Sequence, residues 1–320
     1  MALLPRFSVA AARAVAVAGL LAGCATMPPE VEAPAPPSVE APRVVVVPSR
    51  SEESLTLERY YVGLQGRLLD EGRMRRERDP DDAPFGPAEL ARNFEQIALF
   101  SEYVQVGGRY VAQQSAAELR RWERPVRVEL HFGDSVDAAT RADDTARIAA
   151  YLERLRGATG HPISLVRAGG NFHVFVATLD EQRALAPAIL EAEPGLSRET
   201  VREITSLDRS TYCAVYASSS SDRPNSYVSA IAFVRAEHPD LMREACYHEE
   251  IAQGLGLAND SPRARPSIFN DNEEFGLLTR HDEALLRMLY DPRLRVGMSA
   301  AEARPVIRLL AVELVDGGAV

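Results

Sequence analysis

Cys246-Tyr-His-Glu-Glu-Ile-Ala-Gln-Gly-Leu-Gly-Leu-Ala-Asn-Asp260 is the stretch on which the reading of this chain turns. The pattern predicts a helix over residues 238–255 that stops at Gly256, where glycine tolerates a sharp turn. Residues i and i+4 of a helix face the same way, so Glu249 and Gln253 share a face, with Glu250 beside it. Past the turn, Asn259 is positioned to come back toward that face. One carboxylate and two amide oxygens are hard donors that suit Ca²⁺ or Mg²⁺ better than Zn²⁺. His248 lies beside the ligand face, either as a surface or capping residue or as a metal ligand joined by His238 or His281. Glu249 and Glu250 have a plainer reading too, as solvated carboxylates near the helix dipole or Arg243.

With Gly256 as the anchor, the stretch resembles the metzincin zinc-protease motif, His-Glu-x-x-His-x-x-Gly-x-x-His. The resemblance places Glu249, Gln253 and Asn259 at degenerate ligand positions and Glu250 at the position of the general base. The scaffold letters are kept and the ligand letters are replaced, so the resemblance speaks for a fold more than for an activity. Three other pieces occur in order around it: Leu119-Arg-Arg-Trp122-Glu-Arg-Pro125-Val-Arg-Val128, Ser267-Ile-Phe-Asn-Asp271 and Leu289-Tyr290-Asp291-Pro292-Arg293-Leu294-Arg295-Val-Gly297-Met298. Together they resemble a family of bacterial envelope lipoproteins with a domain of unknown function (family 2927), over about residues 88–300. That resemblance implies a distantly metzincin-like fold with Met298 near the turn under the site, and an envelope location. It implies no reaction.

The front of the chain fits that location. Arg6 and Arg13 precede the apolar run of residues 14–22, which is too short to span a bilayer and reads as a secretory signal. Leu21-Ala22-Gly23-Cys24 resembles a bacterial lipobox, which implies cleavage before Cys24 and lipid on its sulfur. Ala25, where Asp would mark retention, implies the outer membrane, with the chain facing the periplasm. Several acyl chains together hold stably, each buried CH₂ contributing about 0.8 kcal/mol.

All 36 basic residues are Arg, and the formal net charge is −10; it becomes −12 once Arg6 and Arg13 leave with residues 1–23. So acidic a chain is a poor nucleic-acid binder. Of its three cysteines, Cys24 is assigned to lipid, which leaves Cys213 and Cys246. An even pair in an exported chain suggests a disulfide, with two buried thiols as the alternative.

The Pro-rich residues 24–50 read as an extended tether. Residues 51–87 read as a helical segment and linker: a helix over 55–78 with an arginine-rich end near Glu71 and Glu77, then Asp79-Pro-Asp-Asp-Ala-Pro. A globular domain follows over 88–320. In it, helices are expected at 88–100, 140–156, 282–290 and 300–310, with a helical turn at 119–122. Strands are expected at 126–132, at 163–166 and 172–177 about a hairpin turn Gly169-Gly170-Asn171, and at 212–217 and 227–234 about a polar loop. The fold class is α+β, a metzincin-like (zincin-type) mixed sheet with a motif helix, preceded by a tethering linker and an N-terminal helix.

The functional expectation is an envelope-anchored lipoprotein with a degenerate metzincin-like site in a non-catalytic binding or structural role. The alternative is a variant metal-dependent peptidase or hydrolase with Glu250 as general base. A calcium-stabilised adaptor is the third class. No cofactor is expected; zinc or calcium are the metals to consider. Asp260, Asn270, Asp271 and Asn272 either extend the polar site or cap turns. The partners expected are the membrane, through Cys24, and an envelope protein or peptide ligand.

Overall fold

A computed structural model describes residues 49–106, 109–270 and 272–317. The signal segment, Cys24, Asp271 and all of the tether but its last two residues lie outside the described residues. No described helix is long and apolar enough to cross a membrane.

The chain forms a mixed α/β structure on a mostly parallel sheet. Strands β1 (Phe100–Val106) and β2 (Arg109–Ala116) make a separate antiparallel hairpin. The main sheet contains β3 (Arg121–Trp122), β4 (Val126–Phe132), β5 (Ile163–Val166), β6 (Phe172–Ala177), β7 (Cys213–Ser220) and β8 (Arg223–Arg235). Its order runs β5-β4-β6-β8; these neighbours are parallel, and β3 extends the row beside the start of β8. On its other side β8 pairs with β7, which is antiparallel and forms the sheet edge.

The strands follow from side-chain alternation. Val126, Val128, Leu130 and Phe132 of β4 turn to one core, while Arg127, Glu129 and His131 turn to the opposite face. Strand β6 is buried throughout, as expected for a strand covered on both faces. Helices α3 (Ala138–Thr159), α7 (Asp240–Leu255), α8 (Arg280–Leu289), α2 (Pro87–Ala98) and α9 (Ala300–Asp316) build the larger core with one face. Three short helices, α4 (Leu179–Gln182), α5 (Ala186–Ala192) and α6 (Arg198–Ile204), follow β6. Of these, α5 and α6 cover Phe175, Ile231 and Phe233 on the other face.

Four local expectations change. First, β5 and β6 are no hairpin: both run parallel to β4, on its two sides. A five-residue link suffices because β5 flanks the first half of β4 and β6 the second, so the chain need not return. Asn171 fixes the crossing, its Oδ1 accepting from Arg127 N at 2.7 Å and its Nδ2 donating to Pro125 O at 3.0 Å. Second, Arg121–Trp122 is a strand and not a helical turn, because its backbone pairs with Ser226 and Tyr227 of β8. Third, the serine-rich segment after Ala217 is strand, with register shifts near Ser219. Fourth, helix α1 (Glu52–Asp70) ends before the arginine cluster. Gly72 and Met74 have positive φ, Arg75 pairs with Asp82 and Glu274, and Arg78 with Glu283 at 2.5 Å. The cluster thus anchors the connecting segment instead of ending a helix in solvent. Helix α1 itself packs Leu57, Tyr61 and Leu68 with Leu241 and Met242 of α7.

Candidate functional site

Helix α7 is gripped on three sides. Arg243 donates to Asp144 of α3 at 2.7 and 3.2 Å and to His238 O at 2.7 Å, and Tyr247 Oη donates to the same carboxylate at 2.8 Å. A buried charge needs such a partner, and this one binds α3 to α7. It also corrects the expectation that Arg243 serves Glu249 or Glu250. At the far end, two carbonyls that helix geometry leaves open are met by Trp122 Nε1, donating to Gly254 O at 2.8 Å, and Tyr290 Oη, donating to Leu255 O at 3.0 Å. Gly256 ends the helix at φ 130°, and a Cβ there would stand 2.3 Å from Arg120 O. Its lack of a side chain is therefore required twice. Gly254 has its own reason: a Cβ would lie 2.5 Å from the Phe172 ring, where helix and sheet approach most closely.

The remaining side of α7 floors a cleft of about 560 Å³, lined by Glu249, Glu250 and Gln253. Residues Cys213 to Ala217 of the edge strand β7 form one wall. Arg120, Tyr227 and Asp260 also face the cleft, as do Glu203 of α6 and Glu273. Gln253 Nε2 donates to Asp260 Oδ1 at 3.2 Å. The charged residues of the lining are five carboxylates and one cation, Arg120. Cys213 and Cys246 form a disulfide, Cα to Cα 5.9 Å, that fastens the start of β7 to α7. The loop leading into β7 is held from beneath by fully buried Arg235, which donates to Leu207 O, Asp208 O, Thr211 O and Gln182 Oε1.

The helix thus brings Glu249, Glu250 and Gln253 to one cleft, and Asp260 joins them. Asn259 does not line it. That side chain is buried and its Nδ2 donates to Gln96 O at 2.8 Å and Asp260 O at 2.9 Å. The residue instead fixes the chain after the turn, which presents the neighbouring Asp260. Asn270 and Asn272 accept from Asn272 N and Glu274 N, so they cap turns. Met298 packs in the main core.

The histidines near the motif have separate tasks. His248 is buried, not superficial: its ring stacks on Tyr151 at 3.9 Å, and its Nδ1 accepts from Leu278 N at 2.9 Å. Burial pushes its pKa down to about 3. His238 sits edge-on to Tyr61, and burial holds its pKa well below the usual range. His281 lies 3.0 Å from Asn93 Nδ2. The three do not assemble into a metal site.

Zinc fits the cleft poorly. Cys213 Sγ and the carboxylates of Glu249 and Glu250 lie within 4.8 Å of one another, but that sulfur is in the disulfide and offers no thiolate. What remains is oxygen, the donor type of calcium. Sequence reasoning missed Arg120, Glu203 and Glu273, which reach the cleft from distant segments and carry no local signal; Gly254 was hidden because its demand comes from Phe172.

Comparison with curated proteins and with solved structures gives no match. Residues 87–309 match the family model described as protein of unknown function (DUF2927). The match covers most of the chain, and the protein belongs to the DUF2927 family.

Proposed function

We propose that this chain is an envelope-anchored lipoprotein whose degenerate, metzincin-like cleft binds an extended, basic peptide segment of an envelope protein without cleaving it. The observation that carries the reading is the pairing of an edge strand with an acidic floor. Strand β7 pairs with β8 alone among the described strands, which makes it the edge of the main sheet, the position at which an extended peptide adds itself as a further strand. Glu249, Glu250 and Asp260 lie in the same cleft, where they favour arginine and lysine side chains over acidic ones. The metzincin likeness rests on a parallel sheet, an antiparallel edge strand, and the motif helix directly after β8. The lipid anchor rests on the lipobox at Cys24.

A second reading has one specific observation in its favour. Glu250 is buried at the cleft floor beside Glu249, where a carboxylate can act as general base on a water molecule. It requires activation of that water by some other group, since one carboxylate alone is a weak hydrolytic catalyst.

One experiment separates the two. Fluorescent decapeptides, one rich in arginine and one rich in glutamate, are titrated against the protein and recovered for mass analysis. The expected result is saturable binding of the basic peptide, recovered intact, and at least tenfold weaker binding to the Glu249→Gln, Asp260→Asn double variant (about 1.4 kcal/mol). Cleavage that disappears in Glu250→Gln would establish the hydrolase instead. Equal affinity for both peptides would overturn the acidic-cleft reading.

A further inference from the structure

On the sheet face opposite the main core, Glu129 and His131 stand two residues apart on β4, and His173 on β6 is the register partner of Glu129. Three adjacent positions of one pleated face thus carry a carboxylate and two imidazoles. The three ligand atoms lie within 4.8 Å of one another. His131 Nε2 is 3.0 Å from His173 Nδ1 and 3.9 Å from Glu129 Oε1. Adjacent ligands around a tetrahedral zinc stand about 3.3 Å apart, given metal–ligand bonds near 2.0–2.1 Å. The separations of 3.0 and 3.9 Å lie on either side of that value.

The surroundings hold the groups in place. Gly170 N donates to Glu129 Oε2 at 2.8 Å and leaves Oε1 turned to the histidines. No other residue fits at 170, because a Cβ would lie 2.6 Å from Glu129 Cβ. The His131 ring stacks on Phe175 at 4.5 Å, which sets its plane. Neutral imidazole is the form that binds metal, and a hydrogen bond between the two facing ring nitrogens requires one of them to offer a lone pair. Glu191 and Glu193, at the end of α5, act electrostatically on His131 and His173 and add negative charge to the neighbourhood. The Gly170 N–H, hydrogen-bonded to Glu129, is an outer partner of the kind that orients a ligand.

We propose that Glu129, His131 and His173 form a binding site for a zinc-class divalent transition metal, separate from the α7 cleft and sharing no residue with it. Two imidazoles and one carboxylate are a donor set of this class, unlike the all-oxygen cleft. Without metal, the two rings share one proton between Nε2 and Nδ1. On binding, that proton moves to the other nitrogen of its own ring, both facing nitrogens turn their lone pairs to the cation, and no net proton is released. The side chains of His131 and Glu129 are partly exposed, at 29% and 17%, so the fourth position is open to water or a small ligand.

The test uses the full chain, stripped with chelator and dialysed, then titrated with Zn²⁺ by calorimetry and with Co²⁺ by visible absorption. One Zn²⁺ per chain is expected, with Co²⁺ showing nitrogen- and oxygen-ligated bands. His131→Gln, whose side chain is partly exposed, and Glu129→Gln should each lower zinc affinity by at least about tenfold while melting as wild type does. Glu249→Gln should bind as wild type does. Absence of stoichiometric zinc would leave a hydrogen-bonded imidazole pair only and overturn the proposal. So would binding that survives His131→Gln and is lost in Glu249→Gln, which would put the metal in the cleft.

Discussion

His248 illustrates what a single position in the motif does. Beside a carboxylate pair, it invites reading as a stray metal ligand or a helix cap, yet its ring is buried against Tyr151 and accepts from Leu278 N. Its pKa falls from 6.5 to about 3 because burial disfavours the charged form. The unfolded chain therefore takes up this proton first as pH drops. The stabilisation is complete above about pH 6.5 and is lost progressively toward pH 3. Between pH 7.5 and 5 the loss from this group is about 2 kcal/mol. Gln at 248 keeps an acceptor for Leu278 N and does not titrate. Melting temperatures of wild type and His248→Gln at pH 7.5 and 5.0 should show a pH gap smaller in the variant by roughly 5 °C. An equal gap would remove His248 as the titrating group. Gly256 and Asn259 mark how far the sequence goes at this scale. Glycine's turn is local chemistry and can be read. Asn259 is spent on Gln96, a partner from another helix that no local pattern announces.

At the scale of elements, the disulfide carries the most information about the cleft. It joins Cys213 to Cys246 across 33 positions and ties the edge strand to the motif helix. In the chain-entropy account such a closure stabilises by about 3–4 kcal/mol. Replacing both cysteines by serine should lower the melting temperature by on the order of 10 °C. Reductant should bring wild type down to the level of the variant and leave the variant unmoved. If reductant leaves wild type unchanged, the bond is absent from the folded protein. Cysteine counting made this pair legible, and the apolar spacing made α2 and α3 legible, with Leu90, Phe94, Ile148 and Leu152 buried as the periodicity requires. Strand pairing was less accessible. Gly169-Gly170-Asn171 has the composition of a hairpin turn, but the register that decides between turn and crossover lies in contacts with β4. That misreading also concealed the histidine pair, because only the parallel register sets His173 beside Glu129.

At the scale of the whole molecule, the family match begins at residue 87, while the packing begins with α1. Tyr61 is fully buried, edge-on to His238, and its hydroxyl donates to Arg209 O at 2.9 Å in the loop that leads to β7. Ser54 Oγ donates to Glu237 at 2.7 Å, giving a buried carboxylate one of its partners. Met74 N donates to Glu273 O at 2.8 Å, and Glu273 lines the cleft. Without residues 49–86, Leu241 and Met242 would lose their cover, and burial of a side chain such as Leu57 or Met74 contributes about 1.5–3 kcal/mol. A fragment of residues 87–317 should therefore melt well below a fragment of residues 49–317, by on the order of 10 °C, and bind a dye that reports exposed apolar surface. It should also bind the basic peptide more weakly, since the loop held by Tyr61 and the segment bearing Glu273 lose their supports. If both fragments melt together and bind alike, α1 is an appendage, and residues 87–317 are the complete folding unit.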